Sequence, residues 1–279
     1  MDTNVAQNNC GMCGRVCPAG QACAGGVCAA GAAPANDTCV MATPIPLVAG
    51  TATVRGSTIL ATNGLPSCLP GHDVYYSITL ATREIVYLDT YGSSYDTVVG
   101  FVMNCAAGPS ACNDDSCGTL SSQLTAVLDP GTYIIVVDGF AAATNGGYVL
   151  NIEHAPVNGA SSGNLAAGVQ AVAGTTVGAA NSAGSCGAGL DRWYSWTTCP
   201  SGPGGTFTAT TCGPGGMAAY DSVLQERNGT GVGGGCNDDS CGLQSNLSAM
   251  VPPRAGLHVM YVDGIAAASG AFRVVVSRP

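Results

Sequence analysis

From about residue 35 onward the chain is written in short runs of β-branched and aromatic residues, alternating with polar ones and broken by Gly, Pro, Asn and Asp. The runs Asp73–Leu80, Glu84–Asp89, Thr97–Met103, Gln123–Leu128, Thr132–Val137 and Tyr148–Ile152 predict β-strands. No window carries a convincing 3.6-residue period, so helices are not expected. Short strands at this spacing predict an antiparallel sandwich. Residues 1–34 read differently. Cys10, Cys13, Cys17, Cys23 and Cys28 sit there among Gly, Ala and Asn with almost nothing to bury, so the segment holds a shape only if stapled.

The strand pattern then recurs. Asp73-Val74-Tyr75-Tyr76-Ser77 returns as Asp191-Arg192-Trp193-Tyr194-Ser195, and Tyr95-Asp96-Thr97-Val98 as Tyr220-Asp221-Ser222-Val223. The hexapeptide Cys112-Asn113-Asp114-Asp115-Ser116-Cys117 returns letter for letter at Cys236–Cys241. Val137-Asp138-Gly139 and Val262-Asp263-Gly264 close the series at an offset that stays between 118 (Asp73 to Asp191) and 125 (Val137 to Val262) residues. Such self-similarity is duplication. The expected architecture is all-β: a disulfide-rich head at 1–34 and two tandem antiparallel, jelly-roll-like β-sandwich domains at 35–155 and 160–279. They join in the Gly/Ser/Ala-rich stretch near 156–163.

The order YDTVV, CNDDSCG, SSQL, GTYIIVVDG, GGYVLNI resembles the bacterial pre-peptidase C-terminal domain over residues 36–153, and again over about 164–277. That resemblance implies a β-sandwich module of secreted proteins, often appended to peptidases, where it binds substrate or is trimmed off. The head resembles a short Cys-rich repeat found beside such domains in bacterial surface proteins. Two departures stand out: no peptidase precedes the modules, and the cysteines bracketing Asn-Asp-Asp are not a general feature of the family.

Composition narrows the partners. Charged residues make up 9% of the chain, all eight basic residues are Arg, and the net charge is −9. Scattered single arginines exclude a nucleic-acid stripe and an anionic membrane surface. No run approaches the ~20 apolar residues of a membrane span. Fifteen cysteines without a matching set of His read as disulfides made in an oxidising compartment. The start Met1-Asp2-Thr3-Asn4 has no basic, apolar leader, so the sequence reads as a mature secreted or cell-surface form. Asn36, Asn228 and Asn246 begin N-x-S/T triplets, which matter only in a glycosylating host.

Strand reversal yields the candidate chemistry. In an antiparallel sandwich each strand returns toward the rim it left. Counting reversals gathers Asp73, Asp96, Asp114, Asp115 and Asp138 on one rim, and Asp191, Asp221, Asp238, Asp239 and Asp263 on the matching rim of the second copy. Two unit charges ~4 Å apart repel by about 1 kcal/mol in water and about 4 at a surface-like dielectric. A cation relieves that repulsion. Ca²⁺ suits it, taking oxygens from carboxylates, amides and backbone, and the amides of Asn113 and Asn237 are further candidate ligands. The alternative is that these Asp residues cap turns.

A bridge between Cys112 and Cys117, and between Cys236 and Cys241, is the favoured expectation for the hexapeptides, with Cys112–Cys105 as the alternative. Cys39–Cys68 and Cys199–Cys212 are further expected pairs. The odd total leaves one thiol over, expected in the head, where the spacing of Cys10, Cys13 and Cys17 misses an iron–sulfur run by one residue.

Catalytic motifs fail on context. Gly159-Ala160-Ser161-Ser162-Gly163 fits a nucleophile elbow but lies in the join with no helix behind it. Gly229-x-Gly231-x-x-Gly234 fits a phosphate loop but reads as a hairpin turn. His72, His154 and His258 are isolated. Alternation places about half of Tyr75, Tyr76, Trp193, Tyr194 and Trp196 in the core; core or structural use is the favoured reading for the set, with a face for carbohydrate or a partner as the alternative. The function expected is therefore non-enzymatic: a calcium-stabilised extracellular binding or adhesion module for protein or polysaccharide. The alternatives are a self-associating subunit of a surface fibre or matrix, and the accessory domains of a secreted peptidase.

Overall fold

The six runs form strands in the computed structural model, two as expected, two a residue shorter and two longer; it describes residues 9–17, 21–24, 26–48, 50–64, 67–182, 184–229 and 234–279. The beginning of the head, Pro18, and Gly231 of the phosphate-loop pattern lie outside those residues. In the head, β1 (Gln21–Ala24) and β2 (Val27–Ala30) make a hairpin. It is stapled by Cys10–Cys23 and Cys17–Cys28, while Cys13 is free and exposed.

Residues 43–156 supply β3 (Thr43–Pro44), β4 (Thr51–Ser57), β5 (Val74–Leu80), β6 (Glu84–Asp89), β7 (Thr97–Val102), β8 (Pro109–Asn113), β9 (Gln123–Leu128), β10 (Gly131–Gly139) and β11 (Gly147–Pro156). They make one sheet in the order β3-β5-β10-β7-β8 and another in the order β4-β11-β6-β9. Alternation sends Val86, Leu88, Leu150 and Ile152 of one sheet against Val74, Tyr76, Ile78, Phe101, Ile135 and Val137 of the other. Each such burial is worth roughly 1.5–3 kcal/mol.

Residues 168–278 supply β12 (Gly168–Thr175), β13 (Arg192–Thr198), β14 (Gly205–Thr210), β15 (Met217–Ala218), β16 (Ser222–Asn228), β17 (Cys236–Asn237), β18 (Asn246–Val251), β19 (Gly256–Gly264) and β20 (Ala271–Arg278). Their sheets run β13-β19-β16-β17 and β12-β20-β14-β18, with β15 beside β20. These orders correspond strand for strand to β5-β10-β7-β8 and β4-β11-β6-β9. The repeated Val-Asp-Gly marks a tight turn in each. A Cβ on Gly139 would stand 2.2 Å from Thr144 O, and one on Gly264 2.0 Å from Ala268 O, so only glycine fits.

The two sandwiches pack face to face. In β6 every residue is buried, although Ile85 and Tyr87 point away from their own core. They meet Trp193, Leu257, Val259 and Tyr261 of the second sandwich, together with Ala155 and Val157. The outer face of β4-β11-β6-β9 thus lies on the outer face of β13-β19-β16-β17. Trp193 Nε1 donates to Asn158 O at 2.9 Å and Tyr261 O–H to Pro156 O at 2.7 Å. Tyr75 is covered in another way. The segment around the 3-10 turn Cys39–Met41 closes over it, Val102 and Val136. All five aromatics are therefore buried, in keeping with core or structural use and leaving none to face a ligand. Asn36 is buried too, its Nδ2 donating to Tyr75 O at 2.9 Å.

The disulfide expectations need correction. Cys112 pairs with Cys68 and Cys236 with Cys186, equivalent bridges in the two sandwiches. Cys39 pairs with Cys105, not Cys68. The second cysteine of each hexapeptide goes elsewhere: Cys241 to Cys212 within its sandwich, and Cys117 to Cys199 across to the other. Local closure fails because each hexapeptide spans a strand end: Cys112 and Cys236 are held in β8 and β17, while Cys117 and Cys241 lie beyond the Asp pair, outside those strands. The two cysteines are then left beside neighbouring loops rather than each other.

Candidate functional site

Register carries the reversal argument down to side chains. β5 and β10 pair Val74 with Val137, β10 and β7 pair Gly139 with Thr97, and β7 and β8 pair Val99 with Asn113. Asp73, Asp138, Asp96, Asp114 and Asp115 therefore stand at one rim of the sheet. In the second sandwich Arg192 pairs with Val262, Ser222 with Gly264 and Leu224 with Asn237. Asp191, Asp263, Asp221, Asp238 and Asp239 share the equivalent rim.

Each rim then splits into two sets. Asp73 and Asp138 are buried and hold the backbone at Gly64, Cys68 and Leu69. Gly64 N donates to Asp73 at 3.0 Å, and Cys68 N and Leu69 N donate to Asp138 Oδ2 at 3.0 and 2.8 Å. Ser182 N and Oγ donate to Asp191 at 2.5 and 2.8 Å, and Gly187 N and Gly189 N to Asp263 at 3.1 Å each. These four are loop staples, as the turn-capping alternative has it. Asn113 and Asn237 are also spoken for. Asn113 Oδ1 accepts from Ser116 Oγ and Gln123 N, and Asn237 Oδ1 from Ser240 Oγ and Asn246 N. Both amides fold the hexapeptide.

The remaining three acids converge. Asp96, Asp114 and Asp115 bring carboxylate oxygens within 4.8 Å of one another, and so do Asp221, Asp238 and Asp239. Oδ1 of Asp96, Asp114, Asp221 and Asp238 is shielded from solvent without a hydrogen-bond partner. Loss of solvent and the neighbouring charges, Asp115 for both and Asp96 for Asp114, raise the carboxyls of Asp96 and Asp114 above the usual range. Asp238 is raised in the same way, by lost solvent first and then by Asp239 and Asp221. An oxygen-only donor set of this kind suits a hard cation.

Beneath each trio lies a buried hydroxyl cluster that sequence reasoning missed. Thr90 Oγ1 meets Thr97 Oγ1 at 2.5 Å, and Ser122 Oγ donates to Thr97 O at 2.5 Å. In the other copy Thr211 meets Ser222 at 3.0 Å, and Ser245 Oγ donates to Asp238 O at 2.7 Å. Thr97 and Ser222 directly follow the first Asp of each trio, so these hydroxyls fix the backbone that aims the carboxylates. The hydroxyl following each Tyr-Asp was the available signal.

The trios point apart. Cys117, beside the first trio, is bonded to Cys199 at the far end of the second sandwich. Conversely, the far turns of the first sandwich, Ala81–Arg83 and Pro130, share a cleft with Asn181, Ser182, Ser185 and Ala188 at the acidic end of the second. The sandwiches are stacked antiparallel, so the trios lie at opposite ends of the molecule and cannot share one ion.

Burial gives a pH dependence. Asp73 is pushed up to about 7 by lost solvent and then by the Asp138 charge; Asp138 and Asp191 are pushed to about 6, mainly by burial. The folded chain therefore binds protons more tightly than the unfolded one, whose carboxyls titrate near 3.8. Stability contributed by these groups is complete below pH 4 and lost as pH rises through 6–7. In chelator, Tm is expected to fall by several degrees between pH 5 and pH 8, and Asp73→Asn flattens that slope. A Tm that rises over this interval contradicts the assignment.

Solved structures resemble this chain only distantly. The periplasmic inhibitor of g-type lysozyme from Aeromonas hydrophila is 16% identical, covering 40% of this chain and 95% of that one with a TM-score of 0.31. The pre-peptidase C-terminal domain of collagenase from Bacillus anthracis is 16% identical over 40% of this chain and 94% of that one, at 0.29. The CUB1-EGF-CUB2 domains of rat MASP-1 are 9% identical over 84% and 100%, at 0.25. No family model matches the sequence, and no curated protein does. At such scores the likeness says nothing of ligand or partner.

Proposed function

We propose that the chain is a non-catalytic, calcium-stabilised binding module of the extracellular space or cell surface, recognising protein or polysaccharide. The observation that carries this reading is the duplicated carboxylate trio, Asp96, Asp114, Asp115 and Asp221, Asp238, Asp239, assembled twice from distant segments. Calcium needs six to eight oxygens; the three carboxylates supply part of the shell, and backbone and water the rest. Seven disulfides among the described residues fit an oxidising compartment. Against a nucleophile at Ser161, its Oγ accepts from Gly163 N at 3.1 Å in an exposed loop.

The fibre alternative would join copies through strand edges. The outer face of β12-β20-β14-β18 mixes Thr206, Thr208 and Ser248 with the exposed apolar Val169 and Met250. Size under non-reducing conditions decides between the readings: a monomer disfavours the fibre.

Chelation is the test. Removing calcium is expected to lower Tm by several degrees, since an ion at about 100 times its Kd contributes about 2.7 kcal/mol. Asp96→Asn with Asp221→Asn should abolish that shift. An unchanged melting curve on chelation rejects calcium.

A further inference from the structure

Duplication makes one difference between the copies readable. On the outer face of the first sandwich, Thr53 Oγ1 donates to Asn151 Oδ1 at 2.9 Å, Asn151 Nδ2 donates to Asp89 Oδ1 at 2.7 Å, and Tyr91 N donates to the same oxygen at 3.0 Å. This polar row crosses three adjacent strands, β4, β11 and β6. Register makes its counterparts in the second sandwich Ala171, Val275 and Thr210, with Ser277 in place of Glu153. Asp89 and Glu153 are only 3% and 5% exposed. Burying a carboxylate is costly even when partnered, and the second copy builds the same sheet without either.

The row is the floor of a cleft of about 380 Å³, closed on the other side by Pro200, Pro253 and Arg254 of the second sandwich. That volume is in the range of small-molecule sites. Glu153 holds Arg254 in place, accepting from its Nη1 at 2.5 Å and from Leu257 N at 2.7 Å. Glu153 neutralises Arg254, and burial raises the Asp89 carboxyl above its ordinary range, so the cleft has no positive excess to hold an acidic ligand. Its lining is mostly polar, with one tyrosine and two prolines, and offers no deep apolar pocket to anchor a peptide side chain. Fixed acceptors, a guanidinium donor, the Tyr91 ring and two prolines match vicinal hydroxyls and the C–H face of a sugar.

We propose that this cleft binds one neutral sugar unit of a glycan, with Asp89 accepting from its hydroxyls, Arg254 donating to them and Tyr91 against its C–H face. The proposal rests on the binding-module reading and locates its recognition away from the acidic trios.

The experiment uses the whole chain, calcium-loaded and chelated, titrated calorimetrically with cellotetraose, maltotetraose, mannotetraose and chitotetraose. Saturation-transfer NMR on the same sugars is the second readout. At least one tetrasaccharide is expected to bind in both conditions. The triple variant Thr53→Ala, Asn151→Val, Asp89→Thr carries the second copy's own residues and should fold. It and Tyr91→Ala should each weaken binding by about tenfold or more, with melting temperatures that show the fold intact. Absence of binding by all four sugars at about 10 mM, a range of about −2.7 kcal/mol, overturns the proposal, as does undiminished binding in both variants. Binding lost in Asp96→Asn but kept in the cleft variants also overturns it, while leaving the binding-module reading in place.

Discussion

Replacing His258 with Ala is expected to lower Tm by about 10 °C or more. His258 and Glu226 are each 1% exposed within the second sandwich, with His258 Nδ1 2.7 Å from Glu226 Oε1. The imidazole also stacks on Trp196 at 5.0 Å, and Trp196 on Phe207 at 4.8 Å. Removing it leaves a buried carboxylate unpaired, which costs roughly 3–5 kcal/mol, and each kcal/mol moves Tm by about 2–4 °C at this size. The other copy shows what replaces the pair without loss. Register puts Phe101 and Tyr133 where Glu226 and His258 stand. Glu226→Phe with His258→Tyr should therefore recover most of the stability that His258→Ala loses, because apolar replacement of a buried pair is often neutral. If His258→Ala melts within about 2 °C of the parent, the pair does not have the stabilising role assigned to it.

The second large effect is at Trp193. It is 1% exposed, yet it faces away from its own sandwich core, into the cluster with Ile85, Tyr87, Ala155 and Val157. Trp→Ala in such a site costs roughly 3–5 kcal/mol. Because the lost contacts lie between the sandwiches, Trp193→Ala should also raise hydrogen exchange at β6 and β11, in the sandwich that was not mutated. The Cys117–Cys199 bridge keeps the halves tethered but does not refill the cavity. Exchange that changes only around β13 would show that the two sandwiches do not support one another.

Much of the fold was legible because buried strands such as Val74–Leu80 and Thr97–Val102 are rich in β-branched and aromatic residues. The edge strands Thr51–Ser57 and Gly168–Thr175 escaped. Their TATVRGS and GVQAVAGT are small and polar, as an edge with one solvated face permits. Reversal counting brought ten aspartates to two rims, but it could not separate loop staples such as Asp73 from members of a trio such as Asp96. That distinction depends on whether a loop folds back to offer its N–H groups, as Gly64 does to Asp73. Identical hexapeptides also concealed different bonds. Cys117 and Cys241 have the same sequence neighbours, yet only Cys117 has the other sandwich beside it.

The three glutamates were a missed signal. In a chain that uses Asp almost everywhere, Glu84, Glu153 and Glu226 are all buried and face His154, Arg254 and His258 respectively. The longer side chain is kept where an acid must reach across a packed interior to a basic partner. Short Asp is used where the backbone turns.

Ion stoichiometry tests the account most directly. Calorimetric titration of the chelated protein with calcium should show two ions per chain, one lost in Asp96→Asn with Asp114→Asn and the other in Asp221→Asn with Asp238→Asn. No heat of binding, or a single ion unaffected by either pair, would contradict the assignment of both acidic ends as metal sites.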